Sequence, residues 1–129
     1  MTIVCLDTNA LMMPVECDVR VFEAIETLIP DPEFVVPDSV VRELRNLADG
    51  AGEEAVAASV GLDLADRCRR IEVAESHADD AIVSLAQGSE IEYVVTNDGP
   101  LRERVLAAGN PVIGLRGRNE LAVTQPQHV

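Results

Sequence analysis

Five carboxylates in this 129-residue chain stand where a side chain serves better as a ligand than as a surface charge. Asp7 closes the apolar run "TIVCL" and is followed at once by Thr8, Asn9 and a second apolar stretch. Asp98 comes after "YVVT" in much the same way, with Thr96 two residues before it. Asp79 and Asp80 open "ADDAIVSLA", and Glu43 lies within "PDSVVREL". Acids brought close together repel, and each raises its neighbour's pKa. A divalent cation relieves that repulsion. Oxygen-only ligands favour Mg²⁺ or Mn²⁺ over zinc. One or two such ions can generate a hydroxide from water and neutralise charge building on a phosphodiester.

Each acid also has a structural reading. Ser76-x-x-Asp79 is a capping-box-like pattern, and acids in a first helical turn suit the helix dipole. Asp98 can cap a helix beginning near Pro100, and Asp7 a short helix over 9–13. Asp38 reads as a helix cap and Glu43 as a solvated helix acid. Asp7, bracketed by apolar residues, is the hardest to explain this way.

The elements that must carry these residues follow from hydrophobic spacing. Short apolar runs predict strands over 2–6, 34–36, 71–74, 91–96 and 111–115. Helical spacing covers 18–29, 37–48, a long segment from the "DGAGEE" turn to about Arg70, 76–88 and 99–109. Gly61 weakens the long helix. Residues 116–123 read as a basic turn with an edge strand, and 124–129 as a disordered tail, leaving one domain over 1–123. Strands alternating with helices imply a parallel sheet covered on both faces. Ligands in such sheets bind beyond the carboxyl ends of the strands. Four strand ends then each deliver an acid to one rim.

Composition narrows the function classes. There are 23 acids against 10 bases, a net charge of −13, and every base is arginine. Without lysine, P-loop phosphate binding and Schiff-base chemistry are excluded. The acidic balance argues against simple electrostatic capture of nucleic acid or anionic membrane. An acid excess without lysine also matches the bias of a halophilic host, where salt screens such charge. Arg116 and Arg118, in "LRGRN", form the densest basic turn and are candidate phosphate contacts; Arg102 and Arg104 read as surface charges balancing Glu103. His77 is a candidate ligand or base beside the acid pair, and His128 a weaker one. Cys5, Cys17 and Cys68 lack metal-type spacing, so reduced thiols and a cytoplasmic location are expected. No signal peptide or membrane span is evident.

The segments "LDTNAL" (6–11), "VPDSVVREL" (36–44), "ADDAIVSLA" (78–86) and "VVTNDGPLRER" (94–104) resemble, in order and spacing, the four acidic motifs of the PIN-domain nucleases. "PVIGLRG" is similar to archaeal PIN proteins that resemble ribosomal-RNA processing nucleases. The resemblance implies a three-layer α/β/α fold around a five-stranded parallel sheet, and a Mg²⁺- or Mn²⁺-dependent endoribonuclease selective for single strands. By motif, Asp7 answers the first acid, Glu43 the second and Asp98 the fourth. Asp79 is chosen as the third because Ile82 and Ala86 follow at the family's spacing; Asp80 is its neighbour. Thr8, Asn9 and Thr96 match polar positions that order the metal shell. The implied partners are an RNA substrate and either an antitoxin or a ribosome-assembly protein, with homodimers also implied. A PIN module that binds RNA or protein without catalysis is the alternative.

Overall fold

The computed structural model describes residues 1–127. β1 (Thr2–Leu6) is the centre of the fold because Val4, Cys5 and Leu6 are wholly buried. It is followed by α1 (Thr8–Glu16), α2 (Val21–Leu28), β2 (Pro32–Pro37), α3 (Asp38–Ala48) and α4 (Gly52–Ala65). β3 (Arg69–Ile71), α5 (Ala78–Gln87), β4 (Tyr93–Val95), α6 (Gly99–Ala107), β5 (Val112–Arg116) and β6 (Glu120–Thr124) complete it. The strand order is β3-β2-β1-β4-β5-β6. The first five strands run parallel, and β6 returns antiparallel beside β5. Helices flank the sheet in the expected three-layer α/β/α arrangement.

The sheet is thus mixed and six-stranded rather than parallel and five-stranded. The five expected strands are present. The sixth forms because Gly117, at φ 71, turns the chain back so that Arg116 pairs with Glu120 and Val112 with Thr124. Thr124, assigned to the tail, therefore ends β6. His128 and Val129 lie outside the described residues.

Two elements differ from their sequence signals. β3 lies at 69–71, not 71–74. It is an edge strand, so exposed Arg69 and Arg70 can occupy it and apolar content does not mark it. α1 is longer than a cap-length 9–13 helix and contains Pro14, which removes a helical donor. Burial of Ala10, Leu11, Met12 and Met13 holds it nonetheless. Gly61 has a packing reason: a Cβ there would meet the Leu11 carbonyl oxygen of α1 at 3.1 Å. The glycine lets α4 approach α1 closely. The core is aliphatic, with one aromatic pair, Phe22 and Phe34, at 4.5 Å.

The strand order also positions the site. The chain builds β1, β2 and β3 outward to one side, then crosses to β4 and β5 on the other. Strand order reverses between β1 and β4, where a crevice opens at the carboxyl ends. Their register pairs Leu6 with Val95, so the next residues, Asp7 and Thr96, meet at that crevice.

Candidate functional site

Asp7 is buried, with 4% of its surface exposed. Its two carboxylate oxygens are both engaged. Oδ1 accepts from the Ala10 backbone N–H at 2.7 Å, which caps α1. Oδ2 accepts a short hydrogen bond from the Thr96 hydroxyl. Burial pushes the Asp7 pKa up to about 7; the bonds from Thr96 and Ala10 oppose this, and the charges of Asp79 and Asp98 add to it.

Thr96 links the first acid to the fourth. Its Oγ1 also accepts from the Asp98 backbone N–H at 3.0 Å. Asp98 in turn caps α6, its Oδ1 accepting from Leu101 N–H at 3.2 Å. Around them, Asn9 Oδ1 accepts from Asn97 N–H at 3.3 Å, and Asn97 Oδ1 from Leu115 N–H at 2.8 Å. The turns after β1 and β4 are therefore tied to each other and to the end of β5. Asp7 and Asp98 are both helix caps, as the structural reading expected, and capping leaves each at the carboxyl end of its strand, where the candidate site lies.

Glu43, Asp79 and Asp80 are arranged differently. They line a groove of about 310 Å³ with His77, Ala78 and Arg104. The Asp79 carboxyl is raised, first by partial burial, then by the charges of Asp98 and Glu43, with Arg104 opposing. Asp79 does not cap α5: the cap residue is His77, and no side chain bonds there. Asp80 pairs with Arg104 at 2.9 Å. Arg104 therefore does not simply balance Glu103, as its sequence position suggested; Arg102 is the residue near Glu103, at 4.0 Å. Asp38 is not a cap either. Pro37 holds that position, and Asp38 pairs with Arg70 at 3.5 Å.

Asp7, Glu43, Asp79 and Asp98 lie near enough for their charges to act in sequence: Asp79 and Asp98 on Asp7, and Asp98 and Glu43 on Asp79. These side chains offer only oxygen donors, the type a hard dication takes. The Thr8 hydroxyl, buried in the same turn, has no hydrogen-bond partner among the described residues. Among the described residues, no three His, Cys, Asp or Glu side chains stand close enough to form a ready-made metal cage. The acids share a rim without closing on one another, as mutual repulsion favours. Arg116 and Arg118 are exposed at the carboxyl end of β5, on the same edge of the sheet. A separate cavity of about 520 Å³ between α6 and residues 124–127 is lined by none of Asp7, Glu43, Asp79, Asp80 and Asp98.

Sequence reading missed the Asp80–Arg104 pair and the role of Asn97. Neither has a local signal, because the residues are 24 and 18 positions from their partners. The thiols hold no metal-like cluster among the described residues, and burial raises the pKa of Cys68 to about 12. No helix among the described residues is long and apolar enough to cross a membrane.

Comparison with known proteins agrees with this architecture. Ribonuclease VapC4 of Methanocaldococcus jannaschii is 27% identical over 117 residues, covering 85% of this chain and 87% of the relative. The solved structure of the PIN domain endonuclease Utp24 superposes with a TM-score of 0.78 at 24% identity, covering 95% of this chain and 91% of that one. A domain of a functionally unknown protein from Methanocaldococcus jannaschii superposes with a TM-score of 0.67 at 20% identity, covering 93% and 95%. These two likenesses speak for the fold. The PIN-like domain model matches residues 4–118, a span that includes every acid of the rim, and the chain belongs to that family.

Proposed function

We propose that the chain is a metal-dependent endoribonuclease that hydrolyses phosphodiesters of single-stranded RNA. The observation that carries this reading is the set of four acids on four separate elements near the strand-order switch: Glu43 and Asp79 line an open groove, and the charges of Asp79 and Asp98 reach Asp7 beside it. The similarity to a ribonuclease supports it. Asp7, Glu43, Asp79 and Asp98 would hold one or two Mg²⁺ or Mn²⁺ ions. Mg²⁺ is commonly held by one or two carboxylates together with waters and substrate phosphate. An open rim of acids therefore suits it without a closed cage. A bound dication supplies an activated water and neutralises charge on the scissile phosphodiester. Thr96 keeps Asp7 oriented toward the crevice, and Asp98 is fixed by the cap of α6. Thr8 and Asn9 flank Asp7 at the start of α1, and Asp80 holds Arg104 against the groove.

One observation favours a second reading, a PIN module that binds RNA or a protein partner without catalysis: among the described residues, no three ligands converge as the side chains stand. The test is a cleavage assay at high potassium chloride with Mg²⁺, Mn²⁺ or EDTA. It offers single-stranded RNA and a ribosomal-RNA precursor to the wild type and to Asp7→Asn. Metal-dependent cleavage lost in Asp7→Asn is the expected result. Preference for the precursor would favour ribosomal-RNA maturation. Growth arrest on expression, relieved by a small partner, would favour a toxin role. No cleavage and no heat stabilisation by millimolar Mg²⁺ or Mn²⁺ would overturn the enzyme reading in favour of the binding module.

A further inference from the structure

In a chain of net charge −13 whose 10 bases are all arginine, a gathering of guanidinium groups is informative. Arg42 and Arg45, on α3, and Arg70, on β3, line a cavity of about 400 Å³ beside the carboxyl ends of β2 and β3, together with Val41 and two acids, Asp38 and Glu72, so the arginines outnumber the acids by one. Arg70 is engaged by Asp38. Arg42 and Arg45 are exposed and three residues apart, which puts them on one helical face. Neither makes an ion pair among the described residues. This cavity has no lining residue in common with the acid groove, and an intervening pocket joins the two. Arg42 also lines an adjoining pocket of about 220 Å³ with Ser39, Asn46 and Ser76. Glu43 and His77 line both that pocket and the acid groove.

The charge along this route changes from acidic at Glu43 and Asp79, through hydroxyl and amide groups, to cationic at Arg42 and Arg45. A polyanion approaching an acidic protein is repelled except where cations are concentrated. Arginine forks match phosphate geometry and keep their charge at any working pH. Resting on the ribonuclease reading, we infer that this channel is the path by which single-stranded RNA leaves the acid groove on the β3 side. Arg42 and Arg45 seat a backbone phosphate next to the scissile one. They position substrate and do not take part in bond cleavage.

The test uses the whole chain and a short fluorescent single-stranded oligouridylate, with Arg42→Ala/Arg45→Ala compared against wild type and Arg20→Ala. In metal-supported cleavage the double variant raises KM about tenfold with kcat unchanged, as expected when a charge-assisted hydrogen bond to phosphate is removed. The slope of log binding constant against log salt, measured by anisotropy in EDTA, falls by about 0.7 for each phosphate no longer neutralised. Arg42→Lys/Arg45→Lys restores that slope, because it restores the charge. If wild type cleaves while the alanine variant keeps wild-type KM and salt slope, the channel assignment is overturned and the ribonuclease reading stands. If wild type neither binds nor cleaves RNA, both fall. Unchanged circular dichroism and melting temperature in the alanine variant separate weakened phosphate binding from unfolding.

Discussion

The acid rim has two unlike halves. On the β1–β4 side, Asp7 and Asp98 are held by backbone and side-chain hydrogen bonds and joined through Thr96. On the α3–α5 side, Glu43 and Asp79 are exposed and have no side-chain hydrogen bond or ion pair among the described residues. The held half begins where strands end in the sheet, so the register of β1 against β4 places it. The other half rides on helices, Glu43 in the second turn of α3 and Asp79 in the first turn of α5, where side-chain rotation is open. On the proposed function, a rim rigid on one side and adjustable on the other would fix a reference position for an ion and still adapt to an RNA phosphate.

The largest effect is expected at Asp7, in the held half. Asp7→Asn should lower single-turnover cleavage by about 10³-fold while leaving the protein folded. Its effect on stability has a defined pH dependence. The folded-state pKa is raised from 3.8 to about 7, so the folded protein keeps a proton that the unfolded chain has released. Wild type in EDTA therefore loses stability as pH rises from about 4 to 7, by at most on the order of 4 kcal/mol from this group, and changes little above that. Asp7→Asn should flatten this slope in denaturant titrations. A slope equal to wild type would mean that Asp7 is not the group responsible.

On the adjustable side, Asp79→Asn and Glu43→Gln should each reduce cleavage by about 10²-fold and raise the metal concentration needed for half-maximal activity. Melting temperature should barely change, since both groups are exposed. Asp79→Asn also removes a charge that raises the Asp7 pKa, so the pH-stability midpoint should move down. Large destabilisation by either substitution would erase the distinction between the halves.

Thr96→Val tests the link. Losing the hydroxyl should cost about 1–2 kcal/mol of stability and reduce activity by about 10–100-fold. It should also move the Asp7 midpoint to higher pH, because the Thr96 bond lowers that pKa. The smallest effect is expected for Asp80→Asn. It breaks an exposed pair with Arg104, worth under about 1 kcal/mol. Activity close to wild type would support Asp79 as the third acid; a loss matching that of Asp79→Asn would assign the role to Asp80 as well.

Much of the architecture was legible in the residues. Alternating short apolar runs and amphipathic stretches indicated the layered fold and five of its strands, and the acids after "TIVCL" and "YVVT" stood out against apolar surroundings. Edge elements were less legible. β3 carries two arginines and β6 is half exposed, since an edge strand need not bury both faces. α1 was obscured by Pro14, a helix breaker tolerated here because four neighbouring residues are buried.

Residue order settles which side chains are present and the period at which they recur: carboxylates without lysine, aliphatic strands, and helices with one apolar face. These are local properties, set by residue chemistry and backbone geometry. Tertiary structure decides which of them meet. Asp7 lies 89 residues from Thr96, and Asp80 lies 24 from Arg104. Only the strand order and register bring such partners within hydrogen-bond reach, because side-chain bonds act over a few ångströms whatever the distance along the chain.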